Sequence, residues 1–119
     1  GVEVVAQFAK DVVVAGFPRI VGTETVHAYP DRIMKVHHSL LPEFPGPDPV
    51  ADVLEHGVKQ TGVTVHLISR ELEVGPIVSQ QALEIHDGET WHSLVERIHQ
   101  LELQMLPAAV RTLVEGRQS

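Results

Sequence analysis

Short apolar runs divide the chain into candidate strands. Residues 11–15, with the sequence DVVVA, are β-branched and end at a glycine. A continuous apolar run this short is typical of a strand buried on both faces. Residues 33–37 predict a second strand, residues 62–69 alternate between two faces, and residues 77–85 are again extended in character.

Capping residues and apolar spacing predict two helices. Asp48 and Pro49 are typical of a helix N-cap followed by proline at the first helical position, and Gly57 is typical of a C-terminal cap. Thr90 begins a longer helix, in which Pro107 should cause a kink. The apolar stripe of that helix consists of Trp91, Leu94, Val95, Ile98, Leu101, Met105, Ala109 and Leu113.

Strands that alternate with helices predict an α/β fold with an open, mostly parallel, Rossmann-like sheet and flanking helices. The length of 119 residues suits one domain, residues 1–119. Ligands of such sheets bind at the carboxyl ends of the strands. A proline-rich loop leaves the strand end at His37, so the functional site is expected there.

Composition excludes several classes of function. The formal charge is −7, from 16 acidic and 9 basic residues, so a nucleic-acid partner is not expected. The absence of cysteine excludes a disulfide framework, a zinc-thiolate site and a thiol nucleophile. No apolar run approaches the roughly 20 residues that span a bilayer, so we expect no membrane partner and a cytoplasmic location.

Two basic side chains share one face of the strand that ends at His37. Lys35 and His37 are two positions apart and therefore point to the same side. Five other histidines, in predicted loops or on polar helix positions, are interpreted as solvated: His27, His56, His86, His92 and His99. A second set has the right types for metal ligands but no recognised spacing, so no metal is expected: His37, His38, His66 and Glu73.

Five separated blocks carry a resemblance to a known family. Residues 37–46 read HHSLLPEFPG, residues 61–66 read TGVTVH, and residues 72–77 read LEVGPI. Residues 15–20, AGFPRI, and the segment 97–107 add two further blocks in the same order. The chain resembles the glycinamide ribonucleotide formyltransferases of purine biosynthesis.

The resemblance implies transfer of a formyl group from 10-formyltetrahydrofolate to the amine of glycinamide ribonucleotide, with no metal. It places His37 on the family's catalytic histidine, with Lys35 and Glu73 at the two other catalytic positions. Glu102 corresponds to the acid that holds the ribose hydroxyls of the substrate. The positions implied to contact folate are Arg19, Ile20 and Val21 on the pterin side and Arg70, Glu71 and Leu72 in a second loop.

The chemistry suits these residue types. Attack of an amine on a formyl group produces a tetrahedral oxyanion, which requires hydrogen-bond donors aimed at the developing charge. A histidine that titrates near neutral pH can donate to that oxygen and help to move the amine proton. A nearby acid can orient the imidazole or a relay water.

Two catalytic positions depart from the family pattern. The family has Asn-x-His at the strand end, where this sequence has Lys35, Val36 and His37, and it has aspartate where this sequence has Glu73. Lysine donates but cannot accept, and it introduces a charge. Loss of one oxyanion donor typically costs about 10²–10³ in rate, so impaired activity is expected unless Lys35 replaces the donor.

The phosphate-binding loop of the family is a further departure. The family binds the substrate phosphate at a Gly-Ser-Asn loop, whereas this sequence contains no Gly-x-Gly. Residues 1–119 are therefore expected to form the C-terminal portion of a formyltransferase domain, without its N-terminal strands. Such a portion would have to pair with the missing N-terminal part or form a homodimer.

Three alternatives remain at this point. A catalytically degenerate domain could keep the folate pocket as a binding or structural module, which Lys35 and the lack of a phosphate loop favour. The His37-His38-Ser39 sequence also resembles the formyltetrahydrofolate deformylases, in which water replaces the amine, although the Phe-Pro-Gly that follows favours the ribonucleotide enzyme. A methionyl-tRNA formyltransferase is disfavoured because no basic surface for tRNA is visible.

Overall fold

A computed structural model of the chain describes residues 5–9, 12–15, 33–68 and 74–118. The described strands are β1 Val5–Ala9, β2 Val12–Ala15, β3 Ile33–His37, β4 Gln60–Ile68 and β5 Ile77–Glu84. The described helices are α1 Pro49–His56 and α2 Trp91–Gln118. The predicted bounds agree within two residues for β2 to β5, whereas β1 was not predicted.

The described strands form one sheet in the order β1-β2-β3-β4-β5. The α/β class is confirmed, but the expectation of mostly parallel pairing is wrong for these strands. Only β2 and β3 are parallel, and the other three neighbouring pairs are antiparallel. The chain leaves β3 through the short helix α1 and re-enters the sheet at the same end, where His37 pairs with Thr64. A continuous apolar run indicates that a strand is buried on both faces, but it does not determine whether the strand pairs in a parallel or an antiparallel direction.

The two faces of the central strands have different roles. Met34 and Val36 of β3, with Val63 and Val65 of β4, point into the hydrophobic core. Successive residues of a strand alternate between faces, so Lys35 and His37 lie on the opposite face together with their cross-strand partners. β4 is buried along most of its length, which accounts for the apolar residues on both of its faces.

The helix ends are closed by the residues that the sequence predicts. The carboxylate of Asp48 accepts a hydrogen bond from the Ala51 N–H at 3.1 Å, and Gly57 adopts the left-handed conformation with a φ of 68°. At the start of α2, the Thr90 hydroxyl accepts from the Ser93 N–H at 3.1 Å, and the Ser93 hydroxyl accepts from the Thr90 N–H at 2.9 Å. These reciprocal bonds satisfy donors that a helix N-terminus leaves unpaired.

Helix α2 packs its predicted stripe against the core face of the sheet. Its fully or nearly buried members are Leu94, Ile98, Leu101, Met105 and Ala109. Trp91 is the exception, since it is 40% exposed and its indole N–H donates to the Asp48 carboxylate at 3.2 Å. Pro107 lies inside the helix. Neither described helix combines the length and apolar character needed to cross a membrane.

Gly62 of β4 allows the loop that follows β3 to approach the sheet closely. A Cβ atom at this position would lie 2.2 Å from the Gln81 carbonyl oxygen and 2.4 Å from Leu40 Cδ2. Because one of these neighbours is backbone of the paired strand, the clash cannot be relieved by a rotamer change alone.

We therefore expect Gly62→Ala to lower the free energy of unfolding by about 2–3 kcal/mol, a typical cost of overpacking. Urea titration followed by circular dichroism measures the change. Gly57→Ala is the matched control, because nothing lies within 4 Å of its Cβ position and only its positive φ opposes the change. The control should cost about 1 kcal/mol. Equal losses for the two variants would contradict the close approach.

Candidate active site

The loop after β3 folds back over the strand end and holds the His37 ring. The Phe44 carbonyl lies 2.9 Å from His37 Nε2. The Ser39 hydroxyl is 2.6 Å from the Glu43 carbonyl oxygen and 3.2 Å from that of Phe44. The loop also contains a cis peptide bond between Leu41 and Pro42. These local bonds explain why a serine follows the histidines at this strand end.

A buried hydroxyl of β4 connects the same loop to the sheet. Thr64 Oγ1 donates to the Ser39 carbonyl at 2.7 Å and accepts from the Leu41 N–H at 3.1 Å. The side-chain amide of Gln80 donates to Thr64 Oγ1 at 2.9 Å and to the Leu41 carbonyl at 3.0 Å. Backbone groups that would otherwise be buried without partners are thereby satisfied, and the loop is fixed against β4 and β5.

A cavity of about 180 Å³ opens on the face of the sheet opposite the core. Its lining residues are Lys35, His37, Leu41, Pro45, His66 and Val74. The antiparallel register explains why Lys35 and His66 meet, since they are direct cross-strand partners. The structure therefore brings together Lys35 and His37, as predicted from their spacing on one strand.

Burial lowers the pKa of His37 below its usual value of 6.5. Electrostatic repulsion by His38 and Lys35 lowers this pKa further, whereas the hydrogen bond to Phe44 opposes the shift. The ring is therefore neutral near pH 7. Because a carbonyl oxygen only accepts, Nε2 carries the proton of the neutral ring and Nδ1 carries the lone pair.

Glu102 lies on α2, apart from the residues that line the cavity. Its Oε1 atom is 2.8 Å from His38 Nε2, and its Oε2 atom is 3.4 Å from His99 Nδ1. The two consecutive histidines at the end of β3 therefore have different surroundings. His37 lines the cavity, whereas His38 contacts α2 on the core face. The sequence pattern does not reveal this separation.

His66 is the cavity residue that the sequence interpretation missed as part of this site. It was considered only as a member of a metal-binding set with His37, His38 and Glu73. It is 2% exposed, and its ring contacts the Leu67 carbonyl at 3.1 Å through Nδ1. Its position opposite Lys35 becomes predictable only once the antiparallel register is known. In the described ranges, no three histidine, aspartate or glutamate side chains are grouped so that they could hold a metal ion.

Several predicted site residues lie outside the described residues. They are Arg19, Ile20 and Val21 on the expected pterin side, and Arg70, Glu71, Leu72 and Glu73 in the segment between β4 and β5. Their proposed roles therefore rest on the sequence alone.

Comparison with known proteins identifies the family. The sequence profile of the formyl transferase family matches residues 2–110. The chain belongs to this family. It is 38% identical over 103 residues to the phosphoribosylglycinamide formyltransferase of Bacillus subtilis strain 168, which covers 87% of this chain and 53% of that protein.

Two further relatives support the same family assignment. The phosphoribosylglycinamide formyltransferase of Mycobacterium tuberculosis strain CDC 1551 is 45% identical over 102 residues, covering 86% of this chain and 47% of that protein. The crystal structure of glycinamide ribonucleotide transformylase 1 from Symbiobacterium toebii superposes with a TM-score of 0.80 at 42% identity, covering 90% of this chain and 51% of that one. The chain thus spans about half the length of these formyltransferases.

The charge environment of His37 gives a testable titration. We expect its pKa in the folded protein to lie below 6.5, and we expect Lys35→Asn to raise it, because a repelling ammonium is removed. Because the pKa of His37 is lower in the folded state than in the unfolded state, protonation favours unfolding. The free energy of unfolding is therefore highest above the unfolded pKa and decreases as the pH falls through 6.5 and below. Imidazole NMR chemical shifts between pH 4 and 8 measure the pKa. A His37 pKa above 6.5, or a fall on substitution of Lys35, would contradict this description.

Proposed function

We propose that this chain supplies the histidine-bearing half of an active site that transfers the formyl group of 10-formyltetrahydrofolate to the amine of glycinamide ribonucleotide, in de novo purine biosynthesis. One observation carries the proposal: in a member of the formyl transferase family, His37 and Lys35 line one cavity at a strand end. This is the position where ligands of open α/β sheets are bound.

The neutral His37 ring suits proton transfer. The substrate amine attacks the formyl carbon, and a tetrahedral intermediate forms with negative charge on the former carbonyl oxygen. The lone pair on Nδ1 accepts the proton that the amine nitrogen loses. The ring then returns this proton to the folate nitrogen as the carbon–nitrogen bond to folate breaks. The bond from Nε2 to the Phe44 carbonyl keeps the tautomer that this step requires.

Lys35 is proposed as the donor to the oxyanion. Lys35 lines the same cavity as His37, at the position where the resemblance places the asparagine of the family. A cation can stabilise the intermediate, and the same charge disfavours a protonated His37. Glu73 is proposed to orient the imidazole or a relay water, as the acid of the family does.

Substrate binding is proposed to follow the family pattern. Backbone groups of Arg19, Ile20 and Val21 would contact the pterin. The loop of Arg70, Glu71 and Leu72 would complete the folate site. Glu102 would accept hydrogen bonds from the ribose hydroxyls. We place the substrate phosphate against groups outside these 119 residues, in an N-terminal part of the domain. The residues in the cavity require no metal for this reaction.

His37→Ala should reduce formyl transfer in the gene product that carries this sequence by about 10³, since the group that moves the amine proton is lost. A spectrophotometric assay of folate deformylation in the presence of the ribonucleotide measures kcat and KM. His92→Ala is the matched control, because His92 is an exposed histidine at the start of α2. Activity within about threefold of the wild type in the His37 variant would refute the mechanism.

The role of Lys35 is tested by removing its charge and by restoring the family residues. Lys35→Met keeps the aliphatic stem but removes the donor, so kcat should fall by about 10². Lys35→Asn combined with Glu73→Asp should raise kcat above the wild-type value. An unchanged rate in both backgrounds would remove Lys35 and Glu73 from the catalytic set.

Lys35 also favours a second candidate function, a folate-binding module without turnover. In that case a folate analogue would bind saturably, whereas neither the wild type nor the double variant that combines Lys35→Asn with Glu73→Asp would transfer a formyl group. A third reaction, hydrolysis to formate as in the deformylases, is distinguished by formate release in the absence of any amine substrate. Transfer that depends strictly on the ribonucleotide supports the principal proposal over both.

A further inference from the structure

A second histidine of the strand end forms a nearly buried contact with a carboxylate of α2. His38 Nε2 lies 2.8 Å from Glu102 Oε1, and the two side chains are 9% and 13% exposed. This contact joins residues 64 positions apart in the sequence. A charged hydrogen bond of this kind, away from bulk water, fixes the position of a carboxylate more firmly than a bond at the surface.

The two oxygens of Glu102 have different surroundings. Oε1 is held by the nearly buried His38, whereas Oε2 is 3.4 Å from the ring of His99, whose side chain is 61% exposed. An exposed histidine one helical turn away can move aside at little cost. An ionised carboxylate has about four acceptor sites, so Oε2 keeps the capacity to accept from two further hydroxyl groups.

We propose that His38 is a positioning residue. It holds Glu102 by Oε1, so that Oε2 accepts hydrogen bonds from the two hydroxyl groups of a vicinal diol on the substrate. The inference deepens the proposed function and rests on it, since the diol is that of the ribose. His38 touches no reacting atom in this scheme. It therefore acts on substrate binding and leaves the chemical step to His37 and Lys35.

His38 follows His37 directly in the chain, so the same backbone at the end of β3 carries both side chains. The loop bonds from Ser39 and Thr64 fix this strand end. The distance between the group that positions the sugar and the group that moves the proton is therefore set by a single peptide unit.

The test compares His38→Ala with His38→Gln in the gene product that carries this sequence. The side-chain amide nitrogen of glutamine can occupy the place of the ring Nε2 and donate to Glu102. We expect His38→Ala to raise KM for the ribonucleotide about tenfold and to change kcat by less than about threefold, as loss of an oriented charged acceptor predicts. His38→Gln should restore KM to within about threefold of the wild type. His99→Ala is the matched control on the same carboxylate, and its KM should stay within about twofold.

A substrate analogue without the two ribose hydroxyls separates positioning from a general structural role. For this analogue, His38→Ala and the wild type should have equal dissociation constants by isothermal titration calorimetry. Equal weakening for both ligands, or an equal KM in His38→Ala and the wild type, would overturn the inference while leaving the proposed function intact. Absence of ribonucleotide binding and formyl transfer in the wild type would overturn both.

If His38→Ala does not fold, the glutamine variant decides the question. A folded His38→Gln protein whose KM remains near that of the wild type, with the same dependence on the ribose hydroxyls, supports the inference. A folded His38→Gln protein that binds the ribonucleotide and its analogue equally well overturns it.

Discussion

The antiparallel register between β3 and β4 is the constraint on which the described site depends. It places Lys35 opposite His66 and His37 opposite Thr64, and all four lie on the face away from the core. A shift by one residue would turn Lys35 and His37 into the core and expose Met34 and Val36. The same burial that selects the register therefore selects the cavity, because the apolar residues of both strands can be covered by α2 in only one arrangement.

Within that register, the Thr64 hydroxyl connects the sheet to the loop. It bonds to the backbone of Ser39 and Leu41, and Gln80 of β5 reinforces the contact from the next strand. The Phe44 carbonyl that fixes the His37 tautomer belongs to this loop. The tautomer of His37 thus depends on contacts among three strands and one loop. A histidine in the same strand without these contacts would be free to exchange tautomers.

Much of this architecture is predictable from local sequence. Asp48, Gly57 and Thr90 define the helix ends because capping chemistry is local, and the stripe of α2 follows from its period. Strand direction was predicted wrongly, since it depends on where α1 returns the chain. His66 was missed for the same reason: its proximity to Lys35 is a fact of pairing between strands. Lys35 and His37 were predicted together because their relationship lies within one strand.

The resemblance to formyltransferases is therefore most useful for residues whose roles cannot be predicted from local sequence pattern. The resemblance to formyltransferases implies that Glu102 is a substrate ligand, but it assigns no role to His38. The contact between them points to one, because a carboxylate packed beside a sheet needs a donor to keep its orientation. Lys35 and His38 lie on opposite faces of the sheet, since Lys35 lines the cavity and His38 contacts α2. Lys35 introduces a cation into the cavity, where it lowers the pKa of His37. His38 places its ring on the other side of the sheet, beside Glu102, where we propose that it acts on substrate binding alone.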